Sequence, residues 1–183
     1  DLNREQLHDV RARVKDAADR EKNIEEEDVV AFANEVLNEL TSEEQVLLLE
    51  EVSVMTGNGF TASATIKLKI NEDEVIGTGT GVGPVDASAH AIQEILSSHF
   101  GPELELSGYG LKAITGGTNA LAHANIQFKD KTENRFRGDA VDKDVILASV
   151  HAMIKGANRA LNHRIRHGDK SQDENGSSEQ ADE

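Results

Sequence analysis

From Phe60 to Ile70 the chain alternates without a break. Phe60, Ala62, Ala64, Ile66, Leu68 and Ile70 are apolar, and Thr61, Ser63, Thr65, Lys67 and Lys69 lie between them. A period of two turns one set toward a core and the other toward water, which predicts a strand with one wet face. "LLEEVSVM" (48–55) before it and "VIGTGTGVG" (75–83) after it complete three strands, the last pair joined across "NEDE". Pro84 then stands at the first position of a helix. Its stripe is Val85, Ala89, Ile92 and Leu96, and it stops at "FGP" (100–102).

The same order returns. "ELELSGYGLKAI" (103–114) is strand-like, Ala120, Ala122, Ala124, Ile126 and Phe128 alternate with polar residues, and "NRFRGDAV" (134–141) reads as a third strand. Asp142 is expected to cap a helix whose stripe is Ile146, Val150, Met153, Ala157 and Leu161. The register agrees as well. At an offset of 60, "ATIKLK" (64–69) lies over "ANIQFK" (124–129); at 61, "ASAHAI" (87–92) lies over "ASVHAM" (148–153) and Gly77 over Gly138. The chain therefore writes a βββα unit twice, about 45–101 and 102–166. The fold class is α+β, with the two units related by a pseudo-twofold. Each unit is marginal alone, and two copies can bury their apolar faces together.

Ahead of the duplication, Leu2, Leu7, Val10 and Val14 make one helical stripe, and Ile24, Val29, Phe32, Ala33, Val36 and Leu37 a second. Residues 1–44 read as a helical linker whose thin apolar faces need something to pack on. The chain opens at "DLNREQLHDV" without an initiator Met, as a segment of a longer protein would.

Charge changes the picture more than composition does. The net charge is −15, from 34 acidic and 19 basic residues. The stretch 167–183, "HGDKSQDENGSSEQADE", holds six acids and one Lys and is expected to be a disordered acidic tail. Without it 28 acids still face 18 basic residues, so nucleic acid is a poor partner. The acidity suits a source rich in salt, where self-repulsion is screened. No run of 18 apolar residues spans a membrane and no secretory leader is present, so a cytoplasmic location is expected. The absence of cysteine excludes disulfides, thiolate metal sites and a cysteine nucleophile.

The candidate chemistry is sparse. "GTGTGVGP" (77–84) contains no G-x-G-x-x-G register and no Gly-Lys-Ser/Thr, so neither a dinucleotide fingerprint nor a phosphate loop is present. Glycines in a strand permit close approach of a ligand or of another backbone, and both readings stay open. A helix starting at Pro84 would aim free N–H groups at a carboxylate. His90 and His151 are equivalent positions of the repeat, and with His123 they show no ligand spacing; no metal site is expected. No catalytic triad or nucleophile elbow emerges. "SGYGLKAITGGTNALA" (107–122) describes a pocket wall better than an acid–base apparatus, and Tyr109 is the only Tyr.

"GTGTGVGPVDASAHAI", "YGLKAITGGTNALA" and "GDAVDKDVILASVHAMIKGANRAL" together resemble the C-terminal allosteric domain of the 2-isopropylmalate synthase and (R)-citramalate synthase family, over roughly residues 46–165. "DREKNIEEEDVVAFA" fits that family's linker loosely. The resemblance implies a homodimer that binds leucine or isoleucine at its interface and inhibits a distant catalytic barrel of the same polypeptide. That barrel, an acyltransferase carrying a divalent metal, is absent, so this chain alone should be inactive and needs no cofactor. Carried onto this sequence, the effector pocket involves Gly81, Gly83, Pro84 and Val85, with Tyr109, Ala113 and Ala120 as its wall and Asp142 and Ile146 at the second helix start. Val82 stands where the family usually has Asn or Asp. A purely structural dimerisation module is the competing reading.

The acidity makes a prediction of its own. The Debye length is about 10 Å at 0.1 M salt and about 3 Å at 1 M. Thermal midpoints should rise steeply between those concentrations; a flat response contradicts the halophilic reading.

Overall fold

The computed structural model describes residues 3–20, 24, 26–37, 45–101, 104–113 and 121–167. Helices α1 (Arg4–Arg20) and α2 (Glu26–Leu37) come first. The first unit is β1 (Leu47–Met55), β2 (Ala62–Ile70), β3 (Asp73–Gly81) and α3 (Pro84–Phe100). The second is β4 (Leu104–Ala113), β5 (Ala122–Asp130), β6 (Arg135–Asp142) and α4 (Val145–His167). Each unit forms its own antiparallel sheet in chain order. The α+β duplication is present down to its irregularities, since β1 slips register between Leu49 and Glu51 and β4 between Leu106 and Gly108.

Alternation decides which face of each sheet is buried. Ala62, Ala64, Ile66, Leu68 and Ile70 of β2, and Ala122, Ala124, Ile126 and Phe128 of β5, all join one core with α3 and α4. Helix α3 can lie on β3 because the strand is built of glycine on that side. A Cβ on Gly77 would strike the Ala91 carbonyl, and one on Gly79 the carbonyl of Ala87. Gly138 of β6 stands in the same relation to Ala152 and Gly156 of α4. The close approach anticipated for the "GTGTG" run is therefore made by a helix backbone at Gly77 and Gly79.

The two units are joined by side-chain amides that reach across to the partner unit's edge strand. Asn158 of α4 accepts from the Leu47 N–H (2.7 Å) and donates to the Leu47 carbonyl (2.9 Å). Gln93 of α3 donates to the Leu104 carbonyl at 2.8 Å. Leu47 and Leu104 are the first residues of β1 and β4, so each helix closes the open edge of the other sheet. Arg164 of α4 adds a bond to the carbonyl of Phe100, at the end of α3 (2.7 Å).

The outer faces differ. On the first sheet Lys67 lies between Glu74 (2.6 Å) and Glu50 (3.3 Å), and these carboxylates, Glu74 foremost, hold its ammonium above the ordinary lysine range. The second sheet's outer face is not wet along its whole length. Val10, Ala17, Phe32 and Val36 of α1 and α2 form a small core there with Leu121 and Val141. Helices α1 and α2 thus find their packing partner on the back of the second unit.

Several boundaries depart from the sequence reading. Phe60 is half-exposed and precedes β2, because "GNG" at 57–59 turns the chain through Gly59 (φ 90) before the ladder begins. Asp142 is the last residue of β6 and not the cap of α4. Leu7 and Val29, expected on buried stripes, are exposed. His167 ends α4, and the rest of the expected tail lies outside the described residues, as do parts of the 1–44 linker. No described helix is long and apolar enough to cross a membrane.

Asn158→Ala should leave two buried backbone groups of Leu47 without partners, at roughly 1–3 kcal/mol each. Gln93→Ala removes one half-buried bond and should cost less. Denaturant midpoints for the two variants check the order, and equal losses contradict it.

Candidate functional site

Of the nine residues expected in the pocket, the eight described ones fall into two groups, one in each unit. In the first unit Gly83 is the residue before α3, in extended backbone (φ −159, ψ 174), with Pro84 as the first helical residue. Helix α3 has no side-chain cap. A Cβ built on Gly83 meets nothing within 4 Å. The first-turn donors that α3 leaves outside its own ladder include the N–H groups of Val85 and Asp86, whereas Ala87 already donates to the Gly83 carbonyl (2.9 Å). Val85 is half-buried against the core. Gly81 serves packing, because a Cβ there would meet Asp86 and Ala87 in the first turn of α3. Val82 is fully exposed, and its N–H donates to the Asp86 carboxylate at 3.0 Å.

In the second unit the same place is filled. Asp144 Oδ1 accepts from Ile146 (2.7 Å) and Leu147 (3.2 Å), so Asp144 caps α4. Asp142, predicted as the cap, instead accepts from the Asp144 N–H at 2.8 Å and holds the turn. At the repeat offset of 61, Gly83 lies on Asp144, and Val85 and Asp86 lie on Ile146 and Leu147. The two donors satisfied in α4 are the pair that α3 leaves without a side-chain acceptor.

Tyr109 lies on the inner face of β4, with its hydroxyl 3.1 Å from Ser149 Oγ, and the residue is 44% exposed. Ser149 is buried in the first turns of α4 and donates to the Val145 carbonyl. Ala113 pairs with Ala122, and Ala122 with Asp142, which puts Ala113 and Asp142 in one row near the α4 start. Ile146 is half-buried against the core. Leu111, next to Tyr109 on the same face, is equally exposed. Ala120 lies outside the described residues.

Two of these residues, Asp144 and Ser149, were missed in the sequence, and only for Asp144 did a signal exist. The repeat offset already paired Gly83 with Asp144, and an Asp-x-Asp doublet offers two possible caps. Ser149 gave no sign of its partner, since a Tyr–Ser contact spanning 40 residues has no local pattern.

A cavity of about 180 Å³ opens at the other end of the molecule, between the ends of α3 and α4 and the β5–β6 turn. Leu96, Phe100, Leu104 and Phe136 line it, and none of the eight described residues of the predicted pocket does. Asp130 at its rim is committed to the turn. Partial burial pushes its carboxyl up, but hydrogen bonds from Asn134 and Thr132 together outweigh this and hold it below the usual range.

Comparison with known proteins fits this geometry. The model of the LeuA allosteric (dimerisation) domain matches residues 23–161. The chain belongs to the LeuA allosteric (dimerisation) domain family. The probable 2-isopropylmalate synthase of Methanopyrus kandleri is 37% identical over 164 residues, covering 90% of this chain and 33% of that protein. The 2-isopropylmalate synthase of Methanocaldococcus jannaschii is 35% identical over 164 residues, 90% of this chain and 31% of its own length. A protein of Methanothermobacter thermautotrophicus named among the (R)-citramalate synthases is 36% identical over 157 residues, 86% and 31% respectively. This LeuA-family chain thus spans about a third of the length of these relatives.

Proposed function

We propose that this chain is the amino-acid-sensing and dimerising part of a 2-isopropylmalate synthase, binding leucine to restrain a condensing barrel carried elsewhere in the same polypeptide. The observation that carries the reading is the contrast between the two helix starts. A duplicated fold that caps one helix with Asp144 and leaves Gly83 at the other retains one place where an external carboxylate can take the cap's role. Leucine supplies that carboxylate, and the Val85 and Asp86 N–H groups receive it with the favourable end of the α3 dipole.

The effector's aliphatic body needs an apolar wall. Tyr109 and Leu111 present exposed apolar surface on the inner face of the second sheet, where the helices do not cover it. A homodimer brings a partner's surface to that face and closes a pocket from both groups. Isoleucine is the alternative effector, favoured by the match to a protein named as an (R)-citramalate synthase. The two amino acids differ by one methyl position, a distinction worth only about 1–3 kcal/mol in an apolar pocket.

Gly83→Asp should abolish inhibition by leucine in the full-length enzyme while sparing its basal activity. The extended φ at Gly83 suits any residue and the space beside it is open, so the variant should fold and gain about 0.5 kcal/mol or less from its new cap. Circular dichroism checks the fold, and inhibition curves with leucine, isoleucine and valine check the site. A folded variant inhibited at wild-type concentrations contradicts the assignment.

A further inference from the structure

The row Ala113–Ala122–Asp142 has a neighbour on the same three strands: Lys112, His123 and Val141 are paired in turn, one residue along each strand. Alternation sends this second row to the opposite face of the sheet. That is the face on which α1 and α2 pack, with Val141 in contact with their apolar cluster. The expected effector end of the second unit and the docking place of the helical hairpin are therefore two sides of one piece of sheet.

A buried polar contact lies at this place. His123 and Asp139 keep only 13% and 7% of their side-chain surface, and His123 Nε2 is 3.3 Å from Asp139 Oδ1. The carboxylate is close enough for an ion pair but out of line for a hydrogen bond, and the buried Nε2 has no hydrogen-bond partner among the described residues. Such an arrangement costs stability that a well-packed apolar pair would not. Bringing the ring nitrogen and the carboxylate into line would give the pair a second, hydrogen-bonded arrangement. The elements packed on this face carry other charged groups. Lys112 is the cross-strand neighbour of His123 on β4, Asp28 is buried on α2 one turn before Phe32, and Arg13 is half-buried on α1 between Val10 and Ala17.

We propose that the His123–Asp139 contact is a coupling element. It passes a displacement of the Ala113–Ala122–Asp142 row, caused by an amino acid held at the α3 start and closed against the Tyr109 face, through the sheet to the α1–α2 hairpin. His123 and Asp139 act as positioning residues for the hairpin and touch no effector. The inference rests on the sensing role proposed above and on the reading of residues 1–44 as the linker toward the barrel. A two-sided sheet suits the task because its strands move as packed units, and a contact with two discrete arrangements turns a small shift into a change of docking.

His123→Gln and Asp139→Asn, made in the full-length enzyme, separate binding from response. Leucine should bind each variant within about twofold of wild type by calorimetry, while the fraction of activity removed by saturating leucine falls about tenfold. Hydrogen exchange on the unaltered chain supplies a measurement that needs no variant: leucine should change exchange across residues 26–37. Variants that bind leucine and are inhibited like wild type overturn the coupling role alone. So does leucine-independent exchange over α2. A wild-type protein that binds none of the branched-chain amino acids removes the sensing reading, and the coupling role falls with it.

Discussion

Each half of this domain is a three-stranded sheet with one helix, and such a unit has an open edge and too little core to stand alone. What makes the two halves one structure is the reach of a helix amide to the first residue of the other unit's edge strand. Asn158 answers both backbone groups of Leu47, and Gln93 answers the carbonyl of Leu104. Hydrophobic burial between the units is non-directional and would tolerate sliding, whereas these bonds fix the register of one unit on the other. With that register fixed, α3 and α4 occupy the middle of the core, and the loops that start them stay at the surface.

Divergence between the copies then sets their two helix starts apart. The second copy keeps an ordinary helix cap in Asp144, and the first places Gly83 there. Tyr109 and Ser149 form a contact in the second copy where the first has Val52 and Ser88 at the corresponding places. The hairpin adds a third asymmetry by covering the back of one sheet only. An internal repeat is useful here because the same backbone geometry is tested twice with different side chains, and each difference has a local physical consequence.

Much of this was legible in the chain. Period-two alternation from Ala62 and Ala122 marked the central strands, and the shared offset marked the duplication, because both follow from which face is buried. The α3 start was legible because Pro84 allows little else. The cap of α4 was misplaced on Asp142, since two acids two residues apart satisfy the same local rule and only the end of β6 separates them. Phe60 continued an apolar alternation past the place where Gly59 turns the chain. That α1 and α2 need a partner surface followed from their thin stripes. Which surface they use did not, because periodicity says that a face is covered without saying by what.

In the sensing role proposed above, the duplication carries one effector place per chain, at the helix start that lacks a side-chain cap. Calorimetric titration with leucine and isoleucine, at a salt concentration where the domain is folded, measures this as a stoichiometry. One amino acid bound per chain, two per dimer, is the expected result. Two per chain would mean that the cap at Asp144 does not exclude a ligand, and no binding of either amino acid would leave only a structural module; either result contradicts the account.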